Sequence, residues 1–277
     1  MTILVTGARG NVGSEVVAAL VDRGEPVRAL VRDPARARFP ENVEAVAGDL
    51  ERPDTVEPAL DGIDGVFLLG GFDTLPDLME RMRRAGVGHV ALLTSRCVVG
   101  GKPDNAITGM WMDSEAAVRG SGLAWTIVRP SGFHSNALRW LPQLREGDVV
   151  RAPWPDVPIA SIDPADIAAV AATALVGRGH DGQALAISGP EPLTPGDQVA
   201  TLARTLGRPL RYEPLSDDEA RPGMAGNTPA PMVDALFRFF SEGEYDDSVV
   251  LDTVESVTGR PPRSFDQWAE AHVGELG

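Results

Sequence analysis

The stretch Thr6-Gly7-Ala8-Arg9-Gly10-Asn11-Val12-Gly13 constrains this chain more than any other. Thr2-Ile3-Leu4-Val5, of strand-forming type, runs into it, and Val12, Val16, Val17 and Leu20 then recur at helical spacing. Three glycines at G-x-x-G-x-x-G spacing between a strand and a helix leave backbone N–H groups and the positive helix end facing outward. Without side chains in the way, a pyrophosphate comes close to those donors. An ordinary strand-to-helix turn can also be rich in glycine, so the spacing alone is weak. Placed between a strand and a helix at the start of the chain, it points to dinucleotide binding.

The residues that follow extend this reading. After Gly24, residues 26–32 (Pro26-Val27-Arg28-Ala29-Leu30-Val31-Arg32) read as a second strand. At its end an acid binds the ribose 2′-hydroxyl of NAD, whereas an arginine accommodates the 2′-phosphate of NADP. Arg32 stands there, and Arg9 in the glycine turn approaches from the other side; two guanidiniums suit a dianion. The competing reading makes Arg32 a solvated charge and Asp33 the ribose ligand. Residues 42–47 form a third strand running into Gly48-Asp49-Leu50, where Asp49 either meets the adenine edge or caps a helix over 53–60. Residues 65–69 are wholly apolar, as in a buried parallel strand, and end in Gly70-Gly71-Phe72. The helix over 75–85 carries Arg81, Arg83 and Arg84 near its end, most simply as a solvated face.

A fifth strand spans 89–94 with Ser95 after it, 100–108 reads as loop, 113–120 as helix, and 123–129 as a sixth strand closed by Pro130-Ser131-Gly132. This rhythm predicts an α/β fold with a right-handed, doubly wound, Rossmann-type parallel sheet. The nucleotide-binding domain is assigned to residues 1–130. Residues 131–277 are assigned to a smaller α/β lobe packed on it as one compact unit, with the substrate pocket between them. In that lobe, 135–145 reads as helix, 157–162 and 184–188 as short strands, and 217–231 as a surface flap. Asp163-Pro164-Ala165-Asp166, Thr194-Pro195-Gly196-Asp197 and Ser264-Phe265-Asp266-Gln267 carry helix-start signals. Asp163, Asp166 and Asp197 are therefore read as caps rather than catalysts.

Composition narrows the function. A formal charge of −15 argues against a nucleic-acid partner, which needs a basic face. No apolar run approaches the roughly 20 residues that span a bilayer. Met1 leads straight into the first strand, so a cytoplasmic protein without a leader is expected. Cys97 is the single cysteine, which excludes an internal disulfide and leaves no metal-binding cluster. Lys102 is the single lysine.

Together, Thr6-Gly7-x-x-Gly10-x-x-Gly13, Arg32, Gly48-Asp49-Leu50 and Thr126-Ile127-Val128-Arg129-Pro130 resemble an atypical short-chain dehydrogenase/reductase. Glu115, Asn136 after Phe133 and the tail Thr258-Gly259-Arg260-Pro261-Pro262-Arg263 are similar to its NmrA-like branch, which includes NADPH-dependent quinone and azo-dye reductases. The resemblance covers nearly the whole chain. It implies that Gly7, Gly10, Asn11, Val12 and Gly13 hold the pyrophosphate and that Arg32 takes the 2′-phosphate. It also implies Asp49 and Leu50 beside the adenine, and Leu69, Gly70, Thr94 and Ser95 along the path to the nicotinamide. Glu115 and Asn136 are read as structural. One departure matters. The superfamily's acid, a tyrosine four residues before a lysine, is missing, since the only tyrosines are Tyr212 and Tyr245 and neither partners Lys102. The corresponding helix reads Gly109-Met110-Trp111-Met112-Asp113-Ser114-Glu115.

An unactivated ketone accepting hydride becomes a basic alkoxide that needs a proton or an oxyanion partner at once. A quinone becomes a stabilised phenolate that water can protonate later. The missing acid thus favours a quinone-like aromatic, with Phe72, Trp111 and Phe133 as candidate stacking partners or simply core. His134 is the one titrating side chain expected near the nicotinamide, as a proton donor or as a surface or capping residue. The expectation is an NADPH-dependent reductase of small aromatic or quinone substrates, monomeric or homodimeric. A non-catalytic NADP(H) sensor is the competing class.

Overall fold

Seven mostly apolar strands lie parallel at the centre of the computed structural model, which describes every residue except Arg178 and Asn227. The first half of the chain alternates strand and helix: β1 (Ile3–Val5), α1 (Asn11–Asp22), β2 (Val27–Val31), β3 (Val43–Ala47), β4 (Gly65–Leu69), α2 (Leu75–Ala85) and β5 (His89–Leu93). α3 (Cys97–Gly100), α4 (Ala106–Arg119) and β6 (Ala124–Pro130) complete it. The second half holds α5 (Leu141–Glu146), β7 (Val149–Ala152), α6 (Pro164–Val176), β8 (Gln183–Ile187), α7 (Pro195–Leu206) and β9 (Arg211–Pro214). It ends with α8 (Asp217–Ala225), α9 (Ala230–Phe240), α10 (Thr253–Thr258), α11 (Phe265–Ala271) and α12 (Val273–Leu276).

The sheet runs β3-β2-β1-β4-β5-β6-β8, every pair parallel. Its order reverses between β1 and β4. In open α/β sheets a ligand crevice forms at that reversal, beyond the strands' carboxyl ends. Alternation along each strand builds two cores. Val5, Ala29 and Phe67 point to one face, under Val12, Val16 and Leu20 of α1 and Ile167, Ala171 and Leu175 of α6. Leu4, Leu30, Leu68 and Leu92 point to the other, under Leu78 and Met82 of α2. Each fully buried side chain of this size contributes about 1.5–3 kcal/mol.

This is the doubly wound Rossmann-type sheet the sequence predicts. β8 pairs with β6 from Thr126–Gln183 to Pro130–Ile187, and α6 packs on α1, so elements from both sides of residue 130 share the sheet and its core. The strand read over 157–162 is reduced to isolated bridges, Phe133 to Ile162 and Ile159 to Leu193. A parallel pair that the periodicity did not signal, β7 with β9, stands apart from the main sheet. The helix read over 53–60 is two short 3-10 turns, Pro53–Thr55 and Glu57–Leu60, with a proline at the first position of one and the second position of the other. Conversely, α4 begins well before residue 113, because Asn105 accepts hydrogen bonds from the Ile107 and Thr108 N–H groups. The expected flap at 217–231 contains α8, started by a Ser216–Glu219 capping box, and the first two residues of α9. A separate core of Leu144, Val199, Leu202, Phe265 and Trp268 supports the C-terminal elements.

Candidate cofactor and acceptor site

At the reversal, the glycine turn closes through Gly10 N–H to the Gly7 carbonyl at 2.8 Å. Gly7 has φ of 60°, a left-handed conformation that glycine adopts freely. A Cβ on Gly13 would sit 2.6 Å from the Gly7 carbonyl carbon and force the turn open. No side chain caps α1, so its first-turn N–H groups remain for a ligand. Val12 sends its side chain into the core, and Asn11 Nδ2 donates to Ser135 Oγ at 3.1 Å. Leu69 leans over Gly7, and its N–H donates to Thr6 Oγ1 at 2.9 Å, tying the ends of β1 and β4.

One step outward, Arg32, Gly48, Asp49, Arg52 and Thr55 line a cavity of about 480 Å³ at the ends of β2 and β3. Arg32 and Arg9 are both exposed, and among the described residues neither makes a hydrogen bond or ion pair. Arg9 does not line this cavity. Arg52 does, 3.6 Å from Asp49, although its spacing from Asp49 was the only hint in the sequence. Asp49 accepts the Glu51 N–H at 3.1 Å, which makes a turn and caps no helix. The Leu50 side chain is buried in the α2-side core and does not line the cavity.

At the ends of β4 and β5, Gly70 N–H donates to the Leu93 carbonyl at 3.1 Å and Gly71 N–H to Ser114 Oγ at 2.9 Å. A Cβ on Gly70 would lie 3.0 Å from Trp111 Cζ3, so the indole covers this glycine pair. Thr94 is buried and donates to Glu115 Oε1 at 3.2 Å. Burial alone pushes the Glu115 carboxyl up, but Arg129 at 2.7 Å and Arg119 at 3.2 Å outweigh it and hold the group below its ordinary value. Ser95 Oγ accepts the Cys97 N–H at 3.3 Å, and burial raises the Cys97 thiol. The three candidate rings do not form one wall. Phe72 packs with the α2-side core and Phe133 with the opposite one.

His134 lies in the core rather than at the surface. It is 1% exposed, with Nδ1 3.0 Å from Ser161 Oγ, Nε2 3.3 Å from the Arg263 carbonyl, and Phe265 edge-on at 5.3 Å. Burial lowers its pKa to about 4, so it is a neutral core residue at physiological pH. Tyr212 donates to the Ala152 carbonyl at 2.8 Å, beside β7 and β9. Asp163 and Asp197 act as caps. Asp166 has another role: fully buried, it accepts from Arg260 and from the Arg263 N–H, both at 2.6 Å, and docks the tail. No described helix is long and apolar enough to cross a membrane.

A family model described as NAD(P)H-binding matches residues 7–177. A Streptomyces griseus protein named (4-alkanoyl-5-oxo-2,5-dihydrofuran-3-yl)methyl phosphate reductase is 42% identical over 276 residues, covering 98% of each chain. The NAD(P)H azoreductase of Xenophilus azovorans is 37% identical, covering 99% of each. Among solved structures, an Escherichia coli NADPH-dependent quinone oxidoreductase complexed with NADPH matches with a TM-score of 0.80. At 23% identity over 98% of this chain and 99% of that one, it shows a shared fold.

Proposed function

Since the chain belongs to the NAD(P)H-binding family, in the NmrA-like branch of the atypical short-chain dehydrogenases/reductases, we propose that it is an NADPH-dependent reductase of flat, quinone-like acceptors. The residues suit the cofactor: a Cβ would fill the turn at Gly7 and Gly13, and unpaired Arg32 rims the adjoining cavity. When bound, the dihydronicotinamide supplies hydride; the protein's share is to bind, orient and handle the proton.

The observation that carries the reading is how the acidic side chains are engaged. His134 is buried and neutral, Glu115 is held ionised by two arginines, and Tyr245 and Asp247 are tied to Arg96. General acid catalysis adds about 10²–10⁴-fold. Without it, an acceptor must spread the incoming charge over its own conjugated system, as a quinone does. The ring named for the Streptomyces relative, an oxo-dihydrofuran with an alkanoyl substituent, has the same property, and supports a second reading in which the acceptor is a conjugated enone.

Stopped-flow loss of NADPH absorbance against menadione, an azo dye, an acyl-dihydrofuranone phosphate and an unconjugated ketone tests both. The conjugated acceptors should consume NADPH and the ketone should not. A ketone reduced as fast as menadione refutes the reasoning. Tight NADPH binding with no oxidation by any acceptor favours the sensor class instead.

A further inference from the structure

A second buried cluster stands at the end of β5. Arg96, only 5% exposed, directly follows Ser95. Its Nε donates to Tyr245 Oη at 3.1 Å, its Nη2 to the Asp246 carbonyl at 3.3 Å, and its Nη1 to the Val249 carbonyl. Nη2 also pairs with Asp247 at 2.9 Å. Asp247 in turn accepts the Gly132 N–H on Oδ2 and the Tyr245 hydroxyl on Oδ1, and its carbonyl accepts the Ala160 N–H, all at 2.8 Å. Farther along, the Leu251 N–H donates to Ser188 Oγ at 2.8 Å. Residues 243–250 have no regular secondary structure, so these bonds set their course over the carboxyl ends of β5, β6 and β8. Two of the attachment points, Arg96 and Gly132, adjoin Ser95 and Phe133. None of the cluster's bonds reaches the glycine turn or the Arg32 cavity.

We propose that Arg96 is a positioning residue for the acceptor site: through Asp247 and Tyr245 it straps residues 245–249 across the ends of β5 and β6, and the strap is a wall of that site. This rests on the reductase reading and names the segment that shapes its acceptor pocket. Loosening the strap should weaken the acceptor and spare the cofactor.

The test compares wild type with Arg96→Lys, which keeps the charge but not the fork, and with the milder Tyr245→Phe. Calorimetric titration of menadione into NADP⁺-loaded protein reads acceptor affinity without turnover. NADPH titration by fluorescence reads the cofactor, and hydrogen exchange at Gly132, Ala160 and Leu251 reads the strap. Arg96→Lys should raise the menadione Kd about tenfold, leave the NADPH Kd within twofold and speed exchange at those amides. Tyr245→Phe should follow with about a threefold rise. Faster exchange with an unchanged menadione Kd would remove the strap from the acceptor site. Equal losses for menadione and NADPH would reduce Arg96 to a fold residue. A wild type that binds NADPH but not menadione would refute the quinone reading itself, and the proposal with it.

Discussion

Replacing His134 by glutamine should remove a specific part of the protein's acid sensitivity. The folded chain holds this imidazole neutral, with its pKa at about 4 against an ordinary 6.5. Above pH 6.5 both folded and unfolded forms carry a neutral ring, and His134 contributes no pH dependence. As the pH falls below that value, the unfolded chain takes up a proton that the folded chain refuses, so stability declines. The decline ends near pH 4, where the folded form protonates too. At about 1.4 kcal/mol per unit, the full loss is about 3 kcal/mol. Raised acids such as Asp166 and Asp247, both shifted chiefly by burial, act in the opposite sense. The difference between two proteins isolates the histidine. Urea unfolding of wild type and His134→Gln, in steps from neutral pH down to the acid limit, should give stability curves that converge on acidification. Parallel curves would mean the ring takes up its proton in the folded state as readily as in the unfolded one, as a solvated imidazole does. The same variant tests chemistry, because a neutral core residue donates no proton. Hydride transfer to menadione should keep its rate and pH profile, and a loss of about 10² or more with the fold intact would make His134 an acid after all.

Two other substitutions probe the site directly. Arg32→Ala should weaken NADPH by ten- to a hundredfold while sparing NADH, because a charge-assisted contact contributes about 1.5–3 kcal/mol; equal losses for the two cofactors in a binding titration would release Arg32 from the phosphate. Glu115→Gln leaves Arg129 without its buried partner and should cost about 3–5 kcal/mol in thermal or urea unfolding. The stability this carboxylate contributes is present above its unfolded pKa and disappears as the pH falls through the lowered folded value.

Much of this was readable from the chain because the signals are local. Helix α2 lies at Leu75–Ala85, where its spacing and closing Gly86 put it, and β4 at Gly65–Leu69, a continuous apolar run. The glycine turn, Arg32 and Asp49 are likewise found at strand ends around the sheet reversal. The failures share a different cause. β7 and β9 are short and partly polar, and their form depends on pairing with each other and on neighbours such as Gln143, distant from β9 in sequence. Tyr245 and Asp247 meet Arg96 from far along the chain, which no motif records.

The order of residues thus determined the dinucleotide turn, the alternation of strand and helix, and the lack of a tyrosine–lysine pair, since each depends on neighbours in sequence or on inventory alone. Tertiary structure decided which groups are solvated. In sequence, the histidine after Phe133 stays open between a proton donor and a surface or capping residue; in the fold, Phe265 and Trp268, from the far end of the chain, close over it and exclude the water its charge would need.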